Sequence, residues 1–185
     1  PPLYSINGVT LGYDGKPVLN HLSLRLDTDD RIALIGANGN GKSTFAKLIS
    51  GRLPPLSGTV WGVAKVTVGY FAQHQLDDLN PQASPYDTVS RLMPDATEAQ
   101  KRAKLGVWGF GADKADTKAL NLSGGEKARL LMAITAFHGP HILILDEPTS
   151  ALDVHSEARI QQTLADLEGE VTMVVIAHRL STLRM

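Results

Sequence analysis

The chain has 185 residues and 43% hydrophobic content, which allows one domain with a real core, or one domain with a small inserted lobe. Its formal net charge of −1 gives no overall electrostatic footprint for nucleic acid, so we expect no sequence-specific DNA binding and only local contacts with RNA. The absence of cysteine excludes disulfides and thiolate chemistry. No apolar run approaches the ~18 residues of a membrane span, so we expect a soluble, cytoplasmic chain that would need a partner to act at a membrane.

The first predicted elements are two antiparallel strands. Leu3–Leu11 and Val18–Leu26 alternate apolar and polar residues on either side of a turn over residues 13–17. Tyr13 stands beside this turn, where an aromatic side chain is either ordinary surface or part of a ligand site.

A glycine-rich loop follows the apolar run Ile32–Ile35. The loop reads Gly36-Ala-Asn38-Gly39-Asn-Gly41-Lys42-Ser43, and a helix is predicted over Ser43–Ser50. In this pattern, G-x-x-x-x-G-K-S, the glycines let successive N–H groups face phosphate groups at the positive end of the helix. Lys42 adds a positive charge, and the Ser43 hydroxyl can bind the Mg²⁺ that bridges phosphate oxygens. The competing interpretation, a glycine-rich turn with a stray lysine, arises by chance in roughly one chain of this length in a hundred.

Two further strands and a helical lobe are predicted next. Thr59–Trp61 and Lys65–Phe71 have strand character, and Gln73 comes shortly after the second of them. From residue 80 to about residue 122 the chain is polar and helical, with prolines as breakers and an amphipathic stretch over Thr97–Val107. We expect this part to be a small helical subdomain inserted into the core.

A second glycine motif, Leu122-Ser123-Gly124-Gly125-Glu126, opens a helix predicted over Gly124–Phe137. Ser123 can cap this helix, and the glycines expose backbone N–H groups at its positive end. The motif is therefore either a second anion site or an ordinary capped helix.

A pair of carboxylates ends the next predicted strand, His141–Leu145. Asp146 would take the metal side, while Glu147 points the other way on an extended chain and could polarise an attacking water. A helix over Ser156–Leu167 and a strand over Val171–Ala177 follow. The alternation of strands and helices predicts an α/β fold with a mostly parallel sheet, helices on both faces and an antiparallel flank.

With these motifs in this order, the sequence resembles the ATP-binding cassette (ABC) family over essentially its whole length. The resemblance implies a P-loop ATPase that uses ATP and Mg²⁺. It implies that Tyr13 stacks on adenine. It also implies nucleotide contacts from the phosphate loop and from the second glycine motif, which is called the signature motif in this family. The residues concerned are Gly36, Asn38, Gly39, Gly41, Lys42, Ser43, Thr44, Ser123, Gly124, Gly125 and Glu126. It implies a magnesium site formed by Ser43, Gln73 and Asp146. It implies catalytic roles for Lys42, Gln73, Glu147 and the switch residue His178.

The resemblance also implies that two cassettes stack head to tail, as a homodimer or as tandem domains. Each ATP would then lie between one phosphate loop and the signature motif of the other cassette. Ser150–Asp153 resembles the loop that communicates across such a dimer.

Two parts of the chain resemble different branches of the family. Residues 1–145, with Gly69–Gln75 and Ser123–Leu130, resemble the second cassette of the translation-associated ABC-F proteins, which implies a ribosome-associated ATPase. Residues 147–185 resemble membrane exporters, which implies transmembrane transporter domains as the alternative partner, with the cassette at the inner face of the membrane. This change from ABC-F-like to exporter-like motifs indicates a chimera joined near residues 142–150. A third interpretation is an engineered or truncated chain that holds ATP but turns it over poorly.

The ends of the sequence carry a further expectation. The chain starts at Pro1 without a methionine and stops at Met185, which indicates an excerpt truncated at its carboxyl end. Unless a longer chain covers the sheet there, we expect an exposed apolar patch near Val171–Ala177 and reduced stability.

Overall fold

A computed structural model describes residues 2–37, 39–62, 66–146, 162 and 171–177, with the backbone alone at Gln73 and Ala177. These residues form seven strands, five α-helices and two short 3₁₀ segments. They belong to two compact units. The first contains all seven of these strands and α1, and the second contains the described residues 73–134.

A three-stranded antiparallel sheet belongs to the first unit. Strand β1 (Tyr4–Tyr13) pairs with β2 (Lys16–Leu26) through a two-residue turn, and β4 (Ser57–Gly62) pairs with the other edge of β1. Asp14 and Gly15 both have positive φ, 50° and 74°, as an Asp-Gly hairpin turn requires. The predicted strand pair is confirmed, whereas the pairing of β4 with β1 was not foreseen.

A four-stranded parallel sheet supplies the edge that matters for function. Its strand order is β3 (Arg31–Ile35), β7 (Thr172–Ala177), β6 (Ile142–Asp146) and β5 (Val68–Ala72). All three pairings are parallel, so the carboxyl ends of the four strands lie at the same edge of the sheet. The α/β fold with a parallel sheet and an antiparallel flank agrees with the prediction.

The expectation of an exposed apolar patch near residues 171–177 is wrong. Strand β7 is an inner strand, hydrogen-bonded to β3 on one side and to β6 on the other, and residues 171–176 are buried. Among the large apolar side chains of this sheet that the structure describes, Ile35 of β3 is exposed, at 49%. The sequence pattern shows that β7 is apolar, but its neighbours are set by sheet order, which the pattern does not contain.

The core of the first unit joins both sheets to one helix. Helix α1 (Lys42–Ile49) buries its apolar face, and its core residues are Phe45, Ala46, Leu48 and Ile49. They share one cluster with Leu3, which directly precedes β1, and with apolar residues of the strands: Ile6, Val9, Leu11, Leu26, Ile142, Ile144, Val174 and Ile176. Burial of this cluster holds the start of α1 at the carboxyl edge of the parallel sheet.

The second unit is helical. It contains α2 (Pro85–Leu92), α3 (Glu98–Val107) and α4 (Ala112–Ala115), together with most of α5 (Gly124–Ala136). The predicted amphipathic stretch corresponds to α3, which Thr97 caps through a reciprocal bond with Gln100. A second capping box, Ser84 with Asp87, starts α2. In the part of the chain that the structure describes, no helix has the length and apolar character needed to span a bilayer.

Candidate nucleotide-binding site

The glycine-rich loop leaves β3 and ends where α1 begins. Gly39 and Gly41 adopt φ of 83° and 80°, a left-handed conformation that side chains disfavour. Gly41 is also packed against β2, because a Cβ there would lie 2.7 Å from Leu19 Cδ2. The conformation of the loop therefore depends on its glycines and on packing of Gly41 against the antiparallel sheet. Asn38 lies outside the described residues.

The start of α1 suits an anion. Among the described residues, no side chain caps this helix, and its first turn carries no acidic residue. The N–H groups of a helix start point outward and carry partial positive charge, so they can bind phosphate oxygens. The Lys42 ammonium group donates to the Gly36 carbonyl, across the loop. Ser43 is exposed next to it, and Thr44 is buried. The residues present thus fit a bound polyphosphate.

Tyr13 lies beside the same helix, although 31 positions separate it from Thr44. Its hydroxyl is 3.4 Å from Thr44 Oγ1 and accepts a hydrogen bond of 3.2 Å from Lys47 Nζ. The ammonium group of Lys47 also lies 5.1 Å from the ring centroid. The Thr44 contact and then Lys47 lower the pKa of the Tyr13 hydroxyl. Tyr13 is 40% exposed, so it remains accessible to a flat aromatic ligand near the glycine-rich loop.

Asp146 ends β6 at the same sheet edge. Asp146 pairs with Ile176 of β7, and Ile35, immediately before the loop, pairs with Ala177. Two strand spacings therefore separate the carboxylate strand from the loop strand, about 10 Å. This span suits a group of phosphates with a bridging cation. Glu147, Ser150–Asp153 and His178 lie outside the described residues.

Tyr70 is a partner of Asp146 that the sequence did not reveal. Its hydroxyl donates to Asp146 Oδ2 at 2.8 Å. Burial, and then this hydrogen bond, raises the pKa of the Tyr70 hydroxyl, so it remains a donor at neutral pH. The signal in the sequence is weak, because the two residues are 76 positions apart and meet only through the register of β5 with β6.

The metal site would depend on few protein ligands. Within the described residues, no group of three His, Asp or Glu side chains could hold a metal by itself. Mg²⁺ often binds through one or two protein ligands plus phosphate oxygens, and Ser43 and Asp146 fit this pattern. Gln73 follows β5 directly and starts a 3₁₀ segment, Gln73–Asp78.

The second glycine motif belongs to the helical unit. Ser123 and Glu126 form a capping box at the start of α5, and Lys114 forms an ion pair of 3.2 Å with Glu126. Burial alone would raise the pKa of Glu126, but the Ser123 N–H, Lys114 and Arg129 together outweigh it and the pKa is lowered. Ser123 caps α5 as predicted, and Ser123 and Gly124 are exposed, so the start of this helix is accessible from solvent.

Comparison with known proteins decides the family. The model of the family described as "ABC transporter" matches residues 19–150, which is well over half of the chain. The chain belongs to the ABC transporter family. Domains of this family bind ATP, and the glycine-rich loop at the start of α1 suits its phosphate groups.

Curated relatives of this ABC cassette include members of the F branch. The chain is 41% identical over 184 residues to "Probable ATP-binding protein YheS" of Escherichia coli strain K12, covering 99% of this chain and 28% of that protein. It is 41% identical over 175 residues to "ABC transporter F family member 3" of Arabidopsis thaliana, covering 94% of this chain and 24% of that protein. The cassette thus spans about a quarter of the length of these relatives.

Among solved structures, the cassette is similar to a bacterial Atm1-family ABC exporter with ATP bound. The TM-score is 0.79 at 29% sequence identity, and the match covers 98% of this chain and 35% of that chain. The fold is therefore that of an ABC nucleotide-binding domain. The alignment with the Escherichia coli relative includes both sides of residues 142–150, and the junction suggested there stays a prediction.

Proposed function

We propose that the cassette binds ATP with Mg²⁺ and hydrolyses it to ADP and phosphate. The observation that carries this proposal is the glycine-closed loop at the start of α1, which shares the carboxyl edge of the parallel sheet with Asp146. An anion site and a metal-binding carboxylate at one sheet edge are the parts that phosphoryl transfer requires.

The phosphate loop holds the polyphosphate. Backbone N–H groups from Gly36, Asn38, Gly39 and Gly41 onward, including those of Ser43 and Thr44, bind the phosphate oxygens. Lys42 exchanges its bond to the Gly36 carbonyl for the β- and γ-phosphates, since a charged acceptor binds an ammonium more strongly. Tyr13 stacks on the adenine ring.

The carboxyl edge supplies the catalytic groups. Ser43, Gln73 and Asp146 would hold a Mg²⁺ ion, which would supply positive charge against the phosphate groups. Glu147 orients the attacking water. His178 contacts the γ-phosphate and, with Lys42, stabilises the charge of the transferring phosphoryl group.

The second glycine motif acts on another nucleotide. We infer that Ser123, Gly124, Gly125 and Glu126 face the ATP held by a partner cassette, so that two cassettes close around each ATP, either in a homodimer or in tandem domains. The capped, exposed start of α5 supports this role, because its N–H groups can bind a phosphate of the partner's nucleotide.

The biological setting that we propose is cytoplasmic and ribosome-associated. The support is the 41% identity to an F-family member together with the ABC-F-like motifs in residues 1–145. The test is sedimentation of the intact protein with ribosomes. The Glu147→Gln variant with ATP should sediment with ribosomes, and adding Lys42→Ala should abolish this. Folded, ATP-binding protein that stays in the supernatant would contradict the ribosomal role.

A second candidate is the nucleotide-binding domain of a membrane exporter. It is favoured by the similarity to the Atm1-family exporter and by the exporter-like motifs in residues 147–185. Under this alternative, the intact protein would fractionate with membranes, and its ATP hydrolysis would change when transmembrane domains are present. A truncated or engineered chain would instead bind ATP with turnover near background.

A further inference from the structure

The hydrogen bond between Tyr70 and Asp146 links the carboxylate that ends β6 to an aromatic side chain of β5. The hydroxyl-to-Oδ2 distance is 2.8 Å, and in the described part of the chain this is the hydrogen bond recorded for the Asp146 side chain. A hydroxyl that donates to one carboxylate oxygen leaves both lone pairs of the other, Oδ1, available to a cation.

The register of the two strands explains this contact. Tyr70 pairs with Ile144, and Ala72 pairs with Asp146, so Tyr70 and Asp146 lie diagonally on one face of the parallel sheet. A diagonal neighbour is within reach of an aromatic side chain. The hydroxyl therefore reaches Asp146 along the face of the sheet that packs against α1.

The ring of Tyr70 is held from two sides. It packs against the apolar core of the first unit, and the guanidinium of Arg52 lies 4.9 Å from its centroid. Arg52 is in the turn after α1, where its N–H donates to the Lys47 carbonyl at 2.8 Å. A tyrosine fixed in this way can hold a carboxylate at a defined position.

We propose that Tyr70 is a positioning residue for Mg²⁺. By binding Oδ2 of Asp146, it fixes the carboxylate so that Oδ1 is presented to the cation. This role rests on the proposed function, because it requires that Asp146 faces the Mg²⁺ of a bound nucleotide. Loss of a group that orients a metal ligand weakens metal affinity by about 10–100-fold.

The test is binding of a fluorescent ATP analogue to the intact protein, first in EDTA and then at rising Mg²⁺ concentration. Tyr70→Phe should keep the affinity measured in EDTA, which also reports correct folding. It should need about tenfold more Mg²⁺ to reach the tightly bound state. The matched control is Tyr86→Phe, because Tyr86 also lies beneath an arginine, Arg102, at 4.7 Å but belongs to the helical unit. Its Mg²⁺ requirement should equal that of the unmodified protein.

A double variant separates positioning from packing. If Tyr70 acts through Asp146, then Tyr70→Phe should add no further shift in Mg²⁺ requirement to Asp146→Ala, which removes the acceptor of its hydrogen bond. An unchanged requirement in Tyr70→Phe, or a full shift that persists beside Asp146→Ala, would overturn the role of Tyr70 and leave the proposed function standing. Failure of the unmodified protein to bind the nucleotide at any Mg²⁺ concentration would overturn the proposed function, and the role of Tyr70 with it.

Discussion

Ser123 and Glu126 bind each other across the first turn of α5. The Ser123 N–H donates to Glu126 Oε2 at 2.9 Å, and the Glu126 N–H donates to Ser123 Oγ at 3.2 Å. Lys114 holds the other carboxylate oxygen, Oε1, at 3.2 Å. The position of the serine that we place against a partner's nucleotide is therefore set by a carboxylate, and so it depends on the charge of that carboxylate.

We predict that Glu126→Gln lowers the free energy of unfolding at pH 7 by about 1 kcal/mol, because an amide can keep the capping box but loses the negative charge at the helix start and the ion pair with Lys114. Because the folded-state pKa of Glu126 is lowered, its carboxylate stabilises the fold above the ordinary glutamate pKa of about 4.3. This contribution is lost as the pH falls through the lower, folded-state pKa. Denaturant unfolding of both proteins, measured from pH 7 downward, should show the difference shrink below about pH 4.

Glu98→Gln is the matched control for this prediction. Glu98 also forms an ion pair of 3.2 Å, with Arg102, but its side chain is 69% exposed, against 17% for Glu126. An exposed ion pair contributes little to stability, so this variant should change the unfolding free energy by less than about 0.5 kcal/mol. A Glu126→Gln difference that does not depend on pH would contradict the capping role of the charge.

Gly41→Ala should damage both stability and ATP binding. A left-handed φ costs an alanine about 1–2 kcal/mol, and the new Cβ would lie 2.7 Å from Leu19 Cδ2, adding an overpacking cost of about 1–3 kcal/mol. Gly51→Ala is the control, because Gly51 also has a positive φ, 72°, but a Cβ there meets no atom within 4 Å. Thermal or denaturant unfolding of both variants measures the difference. Equal destabilisation by Gly41→Ala and Gly51→Ala would show that the packing of Gly41 against β2 does not restrict the residue at this position.

Two substitutions of Tyr13 distinguish stacking of its ring from hydrogen bonding by its hydroxyl. If its ring stacks on adenine, Tyr13→Ala should weaken ATP affinity by roughly 1–3 kcal/mol, on the order of tenfold or more. Tyr13→Phe keeps the ring and loses only the contacts to Thr44 and Lys47, so its affinity should stay within about threefold of the unmodified protein. Equilibrium binding of labelled ATP measures both. A loss in Tyr13→Phe as large as in Tyr13→Ala would contradict stacking.

The sequence predicts local elements better than it predicts their neighbours. The hairpin turn within residues 13–17, the amphipathic stretch that corresponds to α3 and the cap of α5 at Ser123 follow from patterns that are complete within a few residues. The inner position of β7 and the contact of Tyr70 with Asp146 depend on strand order and register between distant segments. Such pairings depend on the packing of the whole core, so no short pattern contains them.

The glycine motifs show the same limit at the site. Their spacing predicts the phosphate loop and the start of α1 to within one residue, since Lys42 and not Ser43 begins the helix. Contacts of Lys47 with Tyr13 and of Lys114 with Glu126 were not predicted, because long side chains reach across elements that the motif does not include.

The most direct test of the central claim is phosphate release from ATP by the intact protein, with Lys42→Ala and Glu147→Gln compared in parallel. The account predicts Mg²⁺-dependent release by the unmodified protein and loss of ATP binding in Lys42→Ala. It predicts normal ATP binding in Glu147→Gln with release reduced about 100-fold or more, because only the water-orienting carboxylate is lost. Release by Glu147→Gln at the rate of the unmodified protein, or normal ATP binding by Lys42→Ala, would contradict it.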